Sequence, residues 1–227
     1  MSQKKIGIVG WNLGPNTFGV GKNYLTWISQ FGAPIILTPH NSEVENIDLL
    51  ILPGGADINP LTYGEIPHFN TGDPNVMLEY FDAIMLPKYI ESGIPIFATC
   101  RGAQKLWTME GGTLDQHNDW HEQTASGTQD VCHGLSYTAN YKHWKSLLNQ
   151  VNSRHHQCMD ASDKSKGIPN TIEVIAYSEG KKANSYYPQI VEMFKIKEKE
   201  IYGCQFHSED LPENKLIPQI INILLKK

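Results

Sequence analysis

The alternation of short apolar runs with amphipathic stretches most constrains the fold of this chain. Four apolar runs in the first half are typical of buried strands, at residues 5–10, 34–37, 48–52 and 94–98. Apolar residues recur at helical spacing over residues 24–31, 75–92 and 103–109. Pro87 should distort or end part of the second helix. Strands that alternate with helices indicate βαβ units, so we predict an α/β fold with a mostly parallel sheet covered on both faces.

The second half continues this pattern after a polar interruption. Residues 111–140 are rich in His, Asp, Gln and Thr and show little periodicity. We then expect three further strands and a closing helix, at residues 172–177, 190–195, 201–206 and 216–225. No repeat, low-complexity tract or linker divides the sequence, so we predict a single domain over residues 1–227.

Composition narrows the function classes. The 227 residues are 40% hydrophobic, enough for a sizeable core, and the net charge of −5 argues against a nucleic-acid-binding protein. No run approaches the roughly 20 apolar residues of a membrane helix, and the apolar stretch near the N-terminus is too short for a signal peptide. We therefore expect a cytoplasmic protein with no membrane partner. The four cysteines form no CxxC pair, and we expect no disulfides.

Cys100 lies where a predicted strand passes directly into a predicted helix. Residues 99–104 read TCRGAQ, and Gly102 permits a tight turn. Such a turn is typical of a nucleophile elbow, which holds a reactive side chain above the sheet. The helix N-terminus favours the thiolate, and the N–H of Arg101 would point toward a developing oxyanion. The alternative is a cysteine that only packs, as we expect for Cys132, Cys158 and Cys204.

Two other strand ends carry groups that a thiol nucleophile needs. His207 and Glu209 follow the last predicted strand, where a histidine could act as the base and a carboxylate could orient it. Gly54 and Gly55 follow an earlier strand, and their N–H groups could complete an oxyanion hole. Each segment alone is equally typical of a surface loop or a tight turn. Together they form a coherent set of nucleophile, base and oxyanion donors.

Four longer stretches carry a family resemblance. Residues 52–65 read LPGGADINPLTYGE, residues 94–104 read IPIFATCRGAQ, residues 151–157 read VNSRHHQ, and residues 205–209 read QFHSE. In their order and spacing they resemble the class I glutamine amidotransferase-like superfamily. The most similar branch is that of the γ-glutamyl hydrolases (peptidase C26 type), which includes the γ-glutamyl-γ-aminobutyrate hydrolases.

The resemblance implies a flavodoxin-like three-layer α/β sandwich and a Cys-His-Glu triad. In that triad Cys100 would be the nucleophile, His207 the base and Glu209 the residue that orients it. The oxyanion donors would be the N–H groups of Gly55 and Arg101. The resemblance implies substrate contacts for Gly54, Gln104, Asn152, Ser153, His155 and Gln157. It implies no cofactor and no metal.

A histidine-rich stretch raises the alternative of a metal site. His117 and His121 are four residues apart, as metal ligands on a helix can be, and Cys132 and His133 follow. Short histidine motifs have low specificity, and the stretch begins like the loop that follows the elbow in the same family. We therefore expect no metal there, and expect His121 and His133 to frame the substrate entrance.

The expected reaction is hydrolysis of a γ-glutamyl amide bond through a γ-glutamyl thioester. The family resemblance favours a stand-alone hydrolase, because Cys-Arg-Gly stands here instead of the Cys-Leu-Gly that is usual in biosynthetic amidotransferases. Two alternatives stay open: a glutaminase subunit that supplies ammonia to a separate synthetase, and a catalytically inactive binding module. The expected partners are a small-molecule γ-glutamyl substrate and either a second copy of the chain or a synthetase.

Overall fold

The computed structural model describes residues 2–14, 16–39, 43–118, 133–161, 167–178, 190–211 and 213–226. Their strands are β1 Lys5–Val9, β2 Trp11–Gly14, β3 Thr17–Gly19, β4 Ala33–Leu37, β5 Leu49–Leu52, β6 Ile96–Thr99, β7 Leu114–Asp115, β8 His133–Tyr137, β9 Gln150–Val151, β10 Cys158–Met159, β11 Ile172–Ser178, β12 Val191–Ile196 and β13 Ile201–Cys204. Their α-helices are α1 Lys22–Ile28, α2 Val76–Tyr80, α3 Leu86–Glu91, α4 Arg101–Met109 and α5 Leu216–Leu224. Short 3₁₀ turns cover Pro60–Tyr63, Ala139–Ser146 and Ser208–Asp210.

A nine-stranded sheet in the order β4-β1-β5-β6-β13-β12-β11-β8-β9 forms the centre of the molecule. The five strands from β4 to β13 are parallel, and the pairs from β13 to β9 are antiparallel. The predicted α/β fold with its mostly parallel sheet is confirmed. β12 and β13 are antiparallel because only the turn at residues 197–200 joins them, whereas a parallel pair needs a crossover of a dozen residues or more.

Helices cover both faces of this sheet, as its apolar strands require. On one face, buried residues of α1 and α5 pack with Ile6, Ile8 and Phe97 in one apolar cluster. On the other face, buried residues of α2, α3 and α4 pack with Leu50, Ile96 and Phe194 in a second cluster. Burial on both faces explains why the parallel strands are continuously apolar and do not alternate.

The helical segment from α2 to α3 contains the distortion that Pro87 predicts. Residues Phe81–Met85 form a π-helical turn, and the N–H of Leu86 donates to the carbonyl of Phe81, five residues back. Proline has no N–H and its ring crowds the preceding turn, so the regular hydrogen-bond ladder cannot continue unchanged through Pro87. The wider turn places Asp82 on the buried side of the helix.

Several short strands are not predicted by the sequence pattern. β2 and β3 form a hairpin, β7 pairs with β10, and β8 pairs with β9 at the sheet edge. Strands of two to five residues are too short to show periodicity. Among the described helices, none has the length and apolar character needed to cross a bilayer.

Candidate active site

Cys100 occupies the turn between β6 and α4. Its φ of 51° and ψ of −114° are a conformation that residues with a side chain rarely adopt. The turn is held by the N–H of Cys100, which donates to the carbonyl of Cys204 at 2.8 Å. Gly102 makes it possible, because a Cβ there would lie 2.5 Å from the carbonyl oxygen of Leu52. The Cys100 side chain is almost completely buried.

His207 and Glu209 lie beside Cys100 because β13 is the parallel neighbour of β6. Thr99 and Cys204 are paired in register, so the chain leaves both strands at the same edge of the sheet. His207 Nδ1 is 2.6 Å from Glu209 Oε1, and the Glu209 side chain is fully buried. This bond uses Nδ1 and leaves Nε2 for Cys100, which borders the same point beside Gly54 as His207 does.

The protonation of His207 is set by opposing effects. Burial lowers the pKa of His207, since it disfavours the charged imidazolium. The negative charge of Cys100 and Glu209, together with hydrogen bonds to both, outweighs burial and raises the pKa well above its usual value. The arrangement therefore stabilises the imidazolium form of His207.

The loop after β5 brings backbone donors to the same place. The N–H of Gly54 donates to the Tyr24 hydroxyl at 2.9 Å, and the N–H of Gly102 donates to Pro53 at 3.1 Å. The N–H groups of Gly55 and Arg101, by contrast, have no acceptor among the residues that the structure describes. A Cβ on Gly54 would lie 2.8 Å from His207 and 3.5 Å from Cys100, so this position requires glycine.

The side chain of Arg101 ties this loop to the helical segment that contains the π-turn. Its Nε donates to the carbonyl of Ala56 at 3.1 Å. Its two terminal nitrogens contact Asp82 at 2.7 Å and Glu79 at 2.8 Å. The guanidinium is 3% exposed, so it needs both carboxylates to offset the loss of water. Arg101 thus holds Ala56, and with it the Gly54–Gly55 turn, against the elbow.

Gln104 and Gln157 form a buried network beside the elbow. Gln104 Nε2 donates to the carbonyl of Gln157 at 2.7 Å and to Gln205 Oε1 at 3.3 Å. Gln157 Oε1 accepts from the N–H of Ile58 at 3.3 Å, which identifies its Nε2 as the donor end. Nε2 of Gln157 and of Gln205 has no acceptor within the described ranges.

Most side chains of the loop at residues 152–157 are buried, and the loop contacts the backbone of His207. Asn152 accepts from the His207 N–H at 2.8 Å and donates to the His207 carbonyl at 2.9 Å. His155 contacts the Gln157 carbonyl at 3.0 Å and Ser153 at 3.4 Å. All four side chains are buried. The structure therefore brings the predicted nucleophile, base and oxyanion donors together. Asn152, Ser153, His155 and Gln157 lie buried in the adjoining loop, where Asn152 holds the backbone of His207.

Two histidines and a carboxylate form a hydrogen-bonded row that the sequence does not reveal. His117 Nδ1 is 2.9 Å from His156 Nδ1, and His156 Nε2 contacts both carboxylate oxygens of Asp57 at 3.0–3.1 Å. His133 instead lies 3.4 Å from Glu192. No group of three or more His, Cys, Asp or Glu suited to a metal occurs in the described part of the chain. His121 and Cys132 lie outside the described residues.

A cavity of about 550 Å³ lies away from these groups. Its walls come from residues 145–150, 211 and 213–215, and none of the predicted site residues lines it.

Comparison with known proteins identifies relatives over most of the chain. The family model of peptidase C26 matches residues 16–209. The chain is 30% identical over 194 residues to Protein NtpR of Enterococcus hirae, covering 78% of this chain and 75% of that protein. It is 26% identical over 190 residues to a subunit of the glutamine-hydrolysing GMP synthase of Methanococcus vannielii, covering 80% and 78% of the two chains.

Solved structures show the same fold. A putative GMP synthase subunit from Thermoplasma acidophilum superposes with a TM-score of 0.62 at 20% identity, covering 99% of this chain and 93% of that one. PurLQS from Thermotoga maritima gives a TM-score of 0.64 at 14% identity, covering 99% and 100%. The chain has the fold of the class I glutamine amidotransferases. Because the family model matches most of the length of the chain, the chain belongs to the peptidase C26 family.

Proposed function

We propose that this protein is a cysteine-dependent hydrolase of γ-glutamyl amide bonds that works through a thioester on Cys100. Membership of the peptidase C26 family supports the broader class of C–N hydrolases. The observation that carries the proposal is the contact of three groups at neighbouring strand ends: Cys100 in its strained turn, His207 beside it, and Glu209 at 2.6 Å from His207. A buried thiol with no catalytic role would need neither the imidazole nor the strain.

In the proposed acylation, the proton of Cys100 passes to Nε2 of His207, and Sγ then attacks the γ-carbonyl carbon of the substrate. The carbonyl electron pair moves onto oxygen, where the N–H groups of Gly55 and Arg101 can donate to it. Collapse of this intermediate breaks the C–N bond, and His207 gives its proton to the leaving amine. The γ-glutamyl group remains on Cys100 as a thioester.

In the proposed deacylation, His207 removes a proton from water as the water oxygen attacks the thioester carbonyl. The C–S bond then breaks, glutamate leaves, and His207 returns the proton to the Cys100 thiolate. Glu209 stabilises the imidazolium in both steps and keeps the ring oriented through Nδ1.

The test is glutamate release measured over γ-glutamyl amines, γ-glutamyl peptides, polyglutamates and glutamine. We expect Cys100→Ala to lower kcat by about 10⁴-fold or more on every substrate that the wild type cleaves, because the nucleophile is lost. Cys204→Ala is the matched control, since Cys204 is a buried thiol whose pKa is raised by burial and whose Sγ lies within hydrogen-bonding distance of the Thr99 hydroxyl and the Phe206 carbonyl. Full activity of Cys100→Ala would refute the mechanism.

A second candidate function is that of a glutaminase subunit for a separate synthetase. Two of the similar proteins, from Methanococcus vannielii and Thermoplasma acidophilum, are named as subunits of a GMP synthase. In this case glutamine would be hydrolysed slowly by the chain alone and many times faster with its synthetase present. Rapid turnover of γ-glutamyl amines by the isolated chain, with little on glutamine, would decide against it.

A further inference from the structure

Tyr24 contacts both halves of the candidate site through a single atom. It lies on α1, an element that carries none of the predicted site residues, and its side chain is buried. The hydroxyl oxygen is 2.9 Å from the nitrogen of Gly54 and 3.4 Å from Nδ1 of His207. Glu209, whose Oε1 is bonded to His207, lies close enough for its charge to raise the pKa of Tyr24. The loop after β5 and the His207–Glu209 pair therefore meet at this oxygen.

The direction of each hydrogen bond follows from the chemistry of the partners. A backbone N–H can only donate, so the hydroxyl oxygen accepts from Gly54. Nδ1 of His207 donates its own proton to Glu209 at 2.6 Å. Nδ1 therefore cannot accept the hydroxyl proton, and the negative charge of Glu209, whose Oε2 has no hydrogen-bond partner among the described residues, attracts that proton. Burial, and then the charge of Glu209, raises the pKa of Tyr24 well above its usual value and keeps this proton in place.

Each bond has a consequence for one half of the site. The bond from Gly54 fixes the peptide that precedes Gly55, whose N–H is the oxyanion donor in the proposed mechanism. The electrostatic interaction of the hydroxyl with Glu209 means that the carboxylate acts on both the phenol and His207, which moderates its effect on the imidazole. Removing the hydroxyl would leave the Gly54 N–H buried without an acceptor and would leave Glu209 to His207 alone.

We propose that Tyr24 is a positioning residue that joins the oxyanion loop and the His207–Glu209 pair into one hydrogen-bonded unit. This inference rests on the proposed function for its kinetic consequences. Its effect on the protonation of His207 is independent of which substrate the protein takes.

The test is Tyr24→Phe, which removes one oxygen atom and keeps the ring. With a cleaved γ-glutamyl amide as substrate, we expect kcat to fall about 10- to 100-fold, the equivalent of about 1.4–2.8 kcal/mol, while KM changes much less. By NMR titration of the imidazole Cε1–H, we expect the pKa of His207 to lie above its wild-type value, because Glu209 is no longer shared. The alkaline limb of the kcat profile should move in the same direction.

Tyr137→Phe is the matched control. Tyr137 is also a buried tyrosine, and its hydroxyl donates to the carbonyl of Leu148 at 2.7 Å, a bond that involves no site residue. Its loss should lower the free energy of unfolding without changing kcat, KM or the pKa of His207. If Tyr24→Phe behaves like Tyr137→Phe in both measurements, the hydroxyl of Tyr24 only packs and the inference is wrong.

The two proposals fail in different ways. If the wild type cleaves none of the γ-glutamyl substrates, the proposed function fails, and the NMR titration of wild type, Tyr24→Phe and Tyr137→Phe alone decides the role of Tyr24. If the wild type is active and the pKa of His207 is the same in all three proteins, only the inference about Tyr24 fails.

Discussion

Cys100 illustrates how a single residue is placed for chemistry at the expense of local stability. Its φ of 51° and ψ of −114° keep the side chain at the strand end, beside His207. Backbone conformations of this kind cost about 1–3 kcal/mol for residues with a Cβ. Gly102, Leu52 and Cys204 hold the turn through close approach and hydrogen bonding, so the strain is maintained by the packed elements around it.

This strain can be measured by comparing Cys100→Gly with Cys100→Ala. Both variants lack the thiol, and only glycine relieves the backbone. We expect Cys100→Gly to have the higher free energy of unfolding, by about 1 kcal/mol, after the greater flexibility of glycine in the unfolded chain has offset part of the gain. Urea denaturation provides the measurement. Equal stability of the two variants would mean that the turn is not strained.

At the level of elements, the helical segment from α2 to α3 supports the site without contacting a substrate. Its π-turn places Asp82 against Arg101, and Glu79 approaches the same guanidinium one turn earlier. The Arg101 side chain holds Ala56, next to the Gly54–Gly55 turn. The distortion at Pro87 therefore contributes indirectly to the geometry of the oxyanion donors.

Asp82→Asn tests this support. The substitution leaves a buried guanidinium with Glu79 as its only carboxylate, so we expect the free energy of unfolding to fall by about 2–3 kcal/mol. We also expect kcat to fall by about 10-fold or more as the loop loses its position. Asp48→Asn is the control, because the side chains of the Lys4–Asp48 pair are 43% and 35% exposed and the pair should contribute less than about 1 kcal/mol. An unchanged kcat in Asp82→Asn would mean that the Arg101–Asp82 ion pair does not support the geometry of the site.

At the level of the whole molecule, the parallel half of the sheet assembles the site. β5, β6 and β13 are consecutive neighbours, so the Gly54–Gly55 turn, Cys100 and His207 emerge side by side although the chain separates them widely. The antiparallel half contributes β9, which leads into Asn152 and its two bonds to the His207 backbone. The protonation of His207 therefore depends on the integrity of the fold.

The pH dependence of stability and activity should report this coupling. Because the folded-state pKa of His207 is raised, its contribution to stability is complete below the ordinary histidine pKa of about 6.5 and is lost as the pH rises through the folded-state value. We expect Glu209→Gln to lower the pKa of His207. The loss of stability, and the alkaline limb of kcat/KM, should then both occur at lower pH than in the wild type.

Asp210→Asn is the control for this pH shift. Asp210 is the next carboxylate on the same turn, but its side chain contacts Asn23 and Arg154 and not His207. Its pH profiles should match those of the wild type. An alkaline limb that moves equally in Glu209→Gln and Asp210→Asn would mean that general surface charge, and not the 2.6 Å contact, controls His207.

Much of the architecture is predictable because it rests on local patterns. The strand and helix around Cys100, the late strands β11 to β13 and the helix α5 follow from apolar periodicity and agree with the structure within one or two residues at most boundaries. The short strands β7 and β10 do not, because each is stabilised by pairing with the other from a distant part of the sequence. The hairpin strands β2 and β3 do not either, because four and three residues are too few to show periodicity. The contacts of Tyr24 with the site are equally unpredictable, because in the sequence Tyr24 is one more apolar position on an amphipathic helix.

The sequence by itself determined the fold class and the turn that presents Cys100, because strand and helix periodicity and turn-forming glycines act over a few neighbouring residues. The family followed from the resemblance of four motif stretches, and the family model agrees with it. Only the tertiary structure decided which groups surround that thiol: Tyr24 at Gly54, Asp82 at Arg101, and Asn152 at His207. These contacts join residues 19 to 55 positions apart, and they depend on the order of strands in the sheet and on where each buried side chain finds a polar partner.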